Sequence, residues 1–341
     1  MIQALGAVYG AAAAWRRRWY ARDPHRRRYL RQPVVSVGNL RVGGSGKTPT
    51  VEYIARLLVD AGERPAILTR GYARRAPRDG ATVVSDGRRI LAALDGAGDE
   101  PLMLARALPR AIVIVGADRH LGGVLAERKL GATVHLLDDG FQHFELARDV
   151  DLLLASDEDL IDHPLPAGRL RERLEAARCA TAVLATATYQ TAAERIARAL
   201  AVDTAFRVTR TIGAPRRVTG ARDTVVVPPE SRVFLVTGIA RPERFEADIA
   251  AAGWHIAGTL AFRDHHPFSA RDVRRITAAA QAARCAIVLT TEKDAVRLSA
   301  CELGDLPIAA VPLVVTIEPQ DAFREWLLAR IQAACSPQTS A

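Results

Sequence analysis

The sequence predicts an α/β protein in which a mostly parallel sheet with helices on both faces is followed by a second, smaller α/β domain. Short apolar runs alternate with helical patterns along most of the 341 residues, and this rhythm is typical of parallel sheets. A segment rich in Gly, Pro and Arg interrupts the rhythm over residues 210–231. A chain of this length accommodates two domains, so we expect the interruption to be a linker.

The first series of patterns predicts seven strands with helices between them. The strands are expected at residues 34–37, 66–69, 112–115, 133–137, 151–155, 182–185 and 206–208. The helices are expected at residues 50–60, 100–108, 120–129 and 170–177. After a short strand at 225–227, a second series predicts strands at 233–237, 256–261, 286–290 and 312–316, helices at 243–252 and 270–283, and a last helix at 321–334 that packs back on the first domain.

These patterns divide the chain into five parts. They are an N-terminal helical segment (1–31), a nucleotide-binding domain (32–210), a linker (211–231), a second α/β domain (232–318) and a C-terminal helix and tail (319–341).

The N-terminal segment combines an apolar stripe with most of the chain's excess charge. The formal net charge is +9, and residues 16–31, with eight Arg and one Asp, account for +7 of it. The stripe follows helical spacing through Ile2, Leu5, Tyr9, Ala12, Trp15 and Trp19. Interfacial aromatic residues beside an Arg cluster indicate a helix that lies on an anionic membrane surface.

Two other interpretations of this segment stay open: a helix docked on the domain with a solvated basic end, and a nucleic-acid patch. No known nucleic-acid motif accompanies the basic run, so we expect no nucleic-acid partner. Residues 1–14 are too short to span a bilayer and lack the preceding basic residues of a signal peptide. The four cysteines show no metal-ligand spacing, which is typical of reduced thiols in a cytosolic protein.

A glycine-rich turn between the first predicted strand and helix has the residues of a phosphate-binding loop, or P-loop. It reads Gly38-Asn-Leu-Arg-Val-Gly-Gly-Ser-Gly-Lys-Thr48. Its glycines let backbone N–H groups approach phosphate oxygens, and the helix N-terminus adds positive charge. Lys47 would reach the β- and γ-phosphates and Thr48 would ligate Mg²⁺. Arg41 stands where the strict pattern has glycine.

Two motifs place carboxylates where they suit catalysis. Asp138 and Asp139 follow an apolar strand, the position at which P-loop proteins hold Mg²⁺ or its water. A capped strand-end turn would also explain them. Asp99 opens a predicted helix and is either a functional carboxylate or a helix cap.

Two other motifs each have more than one interpretation. His265 and His266 follow a strand of the second domain and suit a metal, a proton relay or a structural pair. Residues 165–172 either bind an anion through arginine or cap a solvated helix.

Together these motifs resemble the tetraacyldisaccharide 4′-kinase family of lipid A biosynthesis. They occur in the family's order along nearly the whole chain: Val37-Gly-Asn-Leu-Arg-Val-Gly-Gly-Ser-Gly-Lys-Thr-Pro49, Thr69-Arg-Gly-Tyr72, Gly98-Asp-Glu-Pro101, Gly116-Ala-Asp-Arg119, Asp138-Asp-Gly-Phe-Gln-His143, Pro166-Ala-Gly-Arg-Leu-Arg-Glu172, Asp264-His265 and Thr291-Glu-Lys-Asp294. Arg41 agrees with the family's own variant of the P-loop.

The resemblance implies an ATP-dependent kinase that phosphorylates the 4′-hydroxyl of an acylated glucosamine disaccharide 1-phosphate, with Mg²⁺ as its second cofactor. The nucleotide-binding residues would be Gly43, Gly44, Ser45, Gly46, Lys47 and Thr48. The candidate metal ligands are Thr48, Asp138, Asp139 and Glu172. The candidate substrate-binding residues are Asn39, Arg70, Arg119, Gln142 and Arg171.

For catalysis the resemblance implies three residues. Lys47 would act on the phosphates, and Asp99 would accept the proton of the sugar hydroxyl, with His265 as its partner across an interdomain cleft. We expect phosphate charge to raise the pKa of Asp99. We also expect that only closure of the cleft brings Asp99 and His265 together.

The resemblance also implies a peripheral, monotopic enzyme on the cytoplasmic face of the inner membrane, whose partners are the acylated lipid and the membrane surface, with no obligate protein partner evident. One alternative is a P-loop ATPase of the partitioning or metal-cluster-scaffold type, which usually carries Lys where Val42 stands. Another is a non-catalytic membrane-surface adaptor, which the intact Lys47 and Asp138 argue against. ATP turnover with and without the lipid distinguishes the three.

Overall fold

The computed structural model describes residues 1–43, 46–71, 74, 76, 79–219, 223–285, 287–304 and 307–335. In this part of the chain the strands are β1 (Val34–Asn39), β2 (Pro65–Thr69), β3 (Ala81–Asp86), β4 (Ile112–Gly116), β5 (Val134–Asp138), β6 (Val150–Ala155), β7 (Ala182–Thr186), β8 (Ala205–Ile212), β9 (Arg216–Arg217), β10 (Arg232–Thr237), β11 (His255–Ala261), β12 (Ile287–Thr291), β13 (Ile308–Val311) and β14 (Leu313–Glu318).

The helices lie between these strands and at both ends of the chain. They are α1 (Ile2–Ala21), α2 (Lys47–Asp60), α3 (Leu94–Ala97), α4 (Asp99–Ala107), α5 (Arg119–Leu125), α6 (Asp157–Leu160), α7 (Gln190–Ala199), α8 (Pro242–Ala251), α9 (Ala270–Ala282), α10 (Glu292–Leu298) and α11 (Gln320–Cys335). Residues Ala126–Leu130 continue α5 as a π-helical turn. Short 3-10 helices occur at Pro24–Arg26 and Leu174–Cys179.

The large sheet has the order β14-β8-β7-β6-β1-β5-β2-β4-β3 in the described residues. Its inner neighbours pair in parallel, and only the edge strands β14 and β3 are antiparallel. Alternate residues of β1 face separate cores: Val35 and Val37 pack with α2 and α4, whereas Val34 packs with α5. Helices therefore cover both faces, which confirms the predicted fold class and explains why β1 and β5 are buried along their whole length.

The small sheet has the order β11-β10-β12-β13-β9, with only β9 antiparallel. Phe234 and Val236 of β10 pack beneath α9, and Val233 and Leu235 pack beneath α8. The predicted second α/β unit is therefore present, as a three-layer arrangement of its own. Below, the two parts of the molecule are called the large-sheet unit and the small-sheet unit.

The last strand differs from the prediction. The strand expected at 312–316 was placed in the second domain, but β14 pairs with β8 at the edge of the large sheet, from Leu313 opposite Ile212 to Glu318 opposite Arg207. The following helix α11 then packs on this sheet, as predicted. The chain therefore enters and leaves the small-sheet unit through two neighbouring strands, β8 and β14.

Two shorter elements also differ from the prediction. Residues 225–227 form no strand in the described part of the chain; only Thr224 bridges to Arg216. The helix expected at 170–177 is replaced by a bridge between Leu170 and Arg41 and then by the 3-10 helix that begins at Leu174. Backbone pairing across the molecule has overridden the local helical pattern here.

The N-terminal helix forms as predicted, over twenty residues. Among the described residues, no helix is long and apolar enough to span a bilayer.

Helix α4 begins at Asp99 because of the residue before it. Gly98 has φ 86° and ψ 164°, a backbone region that is essentially restricted to glycine. We predict that Gly98→Ala lowers the free energy of unfolding by about 1–3 kcal/mol and also reduces activity, because it displaces the start of α4. Urea unfolding measures the first effect.

The matched control for this variant is Gly96→Ala in α3, where an added Cβ meets nothing within 4 Å. We expect it to be neutral. Equal losses in the two variants would contradict the assignment of strain to Gly98.

Candidate active site

The predicted phosphate-binding lysine lies at the carboxyl edge of the large sheet. Lys47 is the first residue of α2, and its Nζ lies 3.1 Å from Asn39 Oδ1, at the end of β1, and 3.4 Å from Asp139 Oδ1, just after β5. These contacts hold the ammonium where the loop and the carboxylates meet. Gly44 and Ser45, also expected in this loop, lie outside the described residues.

Asp138 is the last residue of β5 and lies opposite Val37 of β1. Its side chain is buried, and Thr69 Oγ1 lies 3.4 Å from Oδ2. Burial, reinforced by the carboxylates of Glu100 and Asp139, raises the pKa of Asp138 to about 7. A carboxyl group with a pKa so far from its ordinary value, at the edge of a parallel sheet, is a mark of a functional site.

Asp139 has the opposite ionisation. Its backbone is left-handed, with φ 54°, a conformation that Asp tolerates better than most residues. Both carboxylate oxygens lie 2.9 Å from Arg171 Nη1. Burial alone would raise the pKa of Asp139, but the charges of Lys47 and Arg171 outweigh it and lower the pKa. Neighbouring carboxyls whose pKa values are pushed apart are suited to separate roles.

These oxygen donors fit magnesium bound together with a nucleotide. Mg²⁺ in kinases usually takes one or two protein carboxylates and completes its shell with phosphates and water. No group of three or more His, Cys, Asp or Glu side chains suited to a metal occurs in the described residues. A cation beside Asp138 would relieve the repulsion that raises its pKa. Thr48, in the first turn of α2, adds a hydroxyl at the same edge.

A second cluster joins the two units. His265 Nδ1 of the small-sheet unit lies 2.9 Å from Asp99 Oδ2 of the large-sheet unit. His265 Nε2 lies 3.2 Å from Lys293 Nζ, which in turn lies 3.1 Å from Glu100 Oε1. Arg297 Nε lies 3.7 Å from Asp99 Oδ2. The expected pairing of Asp99 with His265 is therefore present.

Cationic neighbours determine the ionisation of this pair. Burial tends to raise the pKa of Asp99, but the hydrogen bond from His265 and the charges of Lys293 and Arg297 outweigh it and lower the pKa. The rise in pKa that we expect from phosphate charge stays a prediction. The same hydrogen bond raises the pKa of His265. The charge of Lys293 opposes this rise in the pKa of His265, whereas it favours the ionised form of Asp99.

Glu172, an expected metal ligand, lies within a different set of contacts. Its Oε2 and Oε1 each lie 2.7 Å from nitrogen atoms of Arg17 in α1. Oε1 also accepts a hydrogen bond from Gln142 Nε2 at 3.1 Å. Both oxygens of this buried carboxylate are thus directed at protein donors.

Three expected substrate-binding residues support the P-loop. Asn39 contacts Lys47, and Arg171 contacts Asp139, as described above. Gln142 Nε2 donates to Asn39 O at 3.0 Å, and its Oε1 lies 3.3 Å from Arg171 Nη1. The three side chains therefore form one hydrogen-bonded layer behind the lysine and its carboxylate.

The other two substrate candidates lie at the same edge of the sheet. Arg70 is exposed after β2, and Arg119 is buried at the start of α5, which follows the neighbouring strand β4. His266, adjacent to the site histidine, faces elsewhere: its ring stacks on Phe262 and its Nε2 lies 3.2 Å from Asp272.

Two arginines that the sequence analysis did not identify lie beside the P-loop. Arg241 Nη2 lies 3.6 Å from the place a Cβ on Gly43 would occupy, and Arg210 Nε lies 3.9 Å from the equivalent place on Gly46. Arg210 Nε is buried without a hydrogen-bond partner among the described residues. Burial lowers the pKa of both arginines, and Arg244 adds to the effect. No local motif marks these residues; only the fold brings them to the loop.

A cleft of about 600 Å³ opens beside Asp99 and His265. Its lining includes apolar side chains from both units, among them Leu94, Leu102 and Phe268. The acid–imidazole pair thus borders a space with both polar and apolar walls.

The large sheet and the loop after β1 define a P-loop nucleotide-binding protein, and the carboxylate–imidazole pair beside them suits transfer of a phosphoryl group to a hydroxyl. The chain belongs to the family described as tetraacyldisaccharide-1-P 4′-kinase (LpxK), whose family model matches residues 1–332.

Relatives and a solved structure agree with this membership. A tetraacyldisaccharide 4′-kinase of Koribacter versatilis is 37% identical over 340 residues, covering 96% of this chain and 98% of the relative. One from Geobacter sulfurreducens is 38% identical over 325 residues, covering 92% and 88%. The crystal structure of LpxK from Aquifex aeolicus in complex with ATP superposes with a TM-score of 0.77 at 30% identity, covering 96% of this chain and 97% of that chain.

His143, the last residue of the Asp138–His143 motif, makes the free energy of unfolding depend on pH. Burial, with the charges of Arg119 and Arg148, lowers the pKa of His143 to about 4. The folded protein therefore binds this proton more weakly than the unfolded chain. We predict that the free energy of unfolding falls by roughly 3 kcal/mol as the pH drops from 6.5 to 4, and that His143→Gln removes this part of the loss.

Urea unfolding at a series of pH values measures the effect, and the exposed His255→Gln serves as control. If His143→Gln and His255→Gln retain the same pH dependence as the parent protein, His143 is not the group responsible.

Proposed function

We propose that this protein transfers the γ-phosphoryl group of ATP to the 4′-hydroxyl of an acylated glucosamine disaccharide 1-phosphate, the precursor of lipid A. The activity follows from membership of the kinase family. The observation that supports the residue assignments best is the hydrogen bond between Asp99 and His265, in a cleft that both units line.

The P-loop supplies the nucleotide site in this proposal. Backbone groups of Gly43, Gly44, Ser45 and Gly46 hold the phosphates, with Thr48 in the first turn of α2. Lys47 neutralises charge between the β- and γ-phosphates, where phosphoryl transfer most needs it. Arg210 and Arg241, which lie beside the loop, add positive charge for the polyphosphate.

Asp138, Asp139 and Thr48 hold the magnesium ion. A magnesium ion held by these residues would neutralise phosphate charge during the transfer. We assign Glu172 a supporting role instead, because reaching a metal would require its carboxylate to leave Arg17. Asn39, Gln142 and Arg171 then act by orienting Lys47 and Asp139, and Arg70 and Arg119 remain the residues for the anionic headgroup.

Asp99 acts as the general base. The 4′-oxygen forms a bond to the γ-phosphorus, the bond from that phosphorus to the bridging oxygen of ADP breaks, and the hydroxyl proton passes to the Asp99 carboxylate. His265 holds this carboxylate in place through Nδ1, and Lys293 fixes the other side of the ring. Proton removal of this kind is worth about 10²–10⁴ in rate.

Helix α1 attaches the enzyme to the membrane. Its outer face exposes the large apolar residues of the predicted stripe, including Leu5 and Trp15. The Arg cluster follows directly, and it provides attraction to anionic lipids. We therefore propose a peripheral enzyme on the cytoplasmic face of the inner membrane, which reaches its lipid substrate from the surface.

The test of the function is incubation with radiolabelled ATP and the acylated disaccharide 1-phosphate, followed by identification of the labelled position. The proposal predicts label on the 4′-oxygen and turnover that requires the lipid. Lipid-independent hydrolysis of ATP would instead support a P-loop ATPase of the partitioning type.

The proposed catalytic pair, Asp99 and His265, generates a further prediction. Asp99→Asn and His265→Asn should each lower turnover strongly, by about 10²–10⁴ for the base, with little change in ATP affinity. Asn suits position 265 because His265 has φ 56°, in the left-handed region. The double variant should be barely slower than the slower single variant, because the two side chains act as one unit.

Single-turnover kinetics measure these effects, and His266→Asn is the matched control, since that ring faces away from Asp99. Independent, multiplicative losses at Asp99 and His265 would show that they have separate roles.

Another prediction concerns the binding of helix α1 to the membrane. Removing the exposed Trp15 side chain should weaken binding to anionic vesicles about tenfold or more, because one large apolar side chain contributes about 1.5–3 kcal/mol on burial. Vesicle sedimentation of Trp15→Ala measures this, and Tyr189→Ala, an exposed aromatic at the start of α7, is the control. Unchanged binding of Trp15→Ala would make α1 a structural helix only.

A further inference from the structure

Helix α1 contacts the rest of the protein through the face opposite its apolar stripe. At Gly6 an added Cβ would lie 3.0 Å from Pro164 O, and at Gly10 it would lie 3.0 Å from Arg173 Cγ. Arg173 Nη2 also donates to Ala7 O at 3.0 Å. The helix backbone is therefore held closely against the segment 164–173, which includes Glu172.

Arg17 lies on this inner face, unlike the other arginines around it. Its Nε and Nη2 each lie 2.7 Å from an oxygen of Glu172, and its guanidinium carbon lies 4.5 Å from the Phe141 ring and 4.6 Å from the Phe144 ring. Arg17 is 9% exposed. It therefore cannot serve as a membrane charge, and burial of an ion pair is costly unless its geometry is good and its other hydrogen bonds are made.

The carboxylate that Arg17 holds belongs to the hydrogen-bonded layer behind the P-loop. Glu172 Oε1 accepts from Gln142 Nε2 at 3.1 Å, and the same nitrogen donates to Asn39 O at 3.0 Å. Asn39 Oδ1 accepts from Lys47 Nζ at 3.1 Å. With the contact between Arg17 and Glu172, four contacts thus connect helix α1 to the phosphate-binding lysine.

A second branch of the hydrogen-bonded layer leads from Gln142 to the carboxylate of Asp139. Gln142 Oε1 lies 3.3 Å from Arg171 Nη1, which pairs with both oxygens of Asp139 at 2.9 Å. The amide of Gln142 is thus oriented by Glu172 on one side and Arg171 on the other. If Glu172 lost its fixed orientation, the amide of Gln142 would be held less firmly. Lys47 and Asp139, which depend on that amide, would then be less well oriented.

We propose that Arg17 is a positioning residue that couples the seating of α1 to the geometry of the P-loop, through Glu172 and Gln142. The helix that reaches the bilayer then also sets Lys47 and Asp139 for phosphoryl transfer. This inference rests on the proposed role of the P-loop as the catalytic centre.

The direct test is Arg17→Lys, assayed with substrate dispersed in detergent micelles, where attachment to a bilayer is not required. Lysine keeps the charge but cannot make the two-pronged contact. We expect kcat to fall about tenfold, as for loss of one charge-assisted hydrogen bond. The KM for the lipid and the binding to anionic vesicles should stay at the values of the parent protein.

The matched control is Arg195→Lys, which weakens a similar two-oxygen contact with Asp157 on the exposed surface, at 2.7 and 2.8 Å. It should leave kcat unchanged. If Arg17→Lys retains the kcat of Arg195→Lys, the proposal is wrong. It is equally wrong if the loss of activity appears only as a loss of vesicle binding.

Glu172→Gln and the double variant Arg17→Lys/Glu172→Gln test the route. Because Arg17 acts through Glu172, the double variant should be no slower than Glu172→Gln alone. Multiplicative losses would overturn this route. Thermal unfolding of each variant separates a drop in folded protein from a drop in kcat per folded molecule. Failure of the parent protein to phosphorylate the lipid would contradict the proposed function instead.

Discussion

The parallel pairing of β1 with β5 is the constraint on which the rest of the site depends. It places the carboxyl ends of two fully buried strands side by side, with Val37 opposite Asp138. The loop after β1 and the carboxylates after β5 therefore open at the same edge, where ligands bind in parallel α/β sheets. At this edge Lys47 contacts both Asn39, at the end of β1, and Asp139, just after β5. A slip of one residue in the pairing would turn each side chain to the opposite face and separate these groups.

Fixed positive charge is the second organising feature, and both units contribute to it. Arg210 and Arg241 lie beside the loop, and Lys293 and Arg297 surround Asp99. ATP and a phosphorylated disaccharide are both anions, so a surplus of fixed cations suits the reaction that we propose. The hydrogen bond from His265, together with the charges of Lys293 and Arg297, lowers the pKa of Asp99.

The parts of the fold that were predictable from sequence are those with local causes. Apolar runs identified the inner strands, and the consecutive residues 43–48 and 138–139 identified the phosphate loop and the carboxylates. The edge strand β14 was assigned to the wrong sheet, because pairing with β8 across about a hundred residues leaves no local trace. The strand β3 was missed because its pattern is only half buried.

The residues of the candidate site also fall into those that a local sequence pattern marks and those that only the fold brings together. Lys293 carried a local signal, being one of only three lysines in the chain. Arg17 and Arg210 carried none, because arginine is common throughout this sequence and only tertiary packing distinguishes a buried one. The contact between Asp99 and His265 spans 166 positions, and only the resemblance to the kinase family pointed to it.

The most direct test of this account is the rate of phosphoryl transfer from radiolabelled ATP to the acylated disaccharide in folded Lys47→Ala protein, compared with Lys129→Ala, which removes an exposed lysine from the turn after α5. The account predicts that Lys47→Ala loses about 10²–10³ in rate, as for one transition-state contact, and that Lys129→Ala behaves like the parent protein. A folded Lys47→Ala protein that transfers phosphate at the parental rate would contradict it.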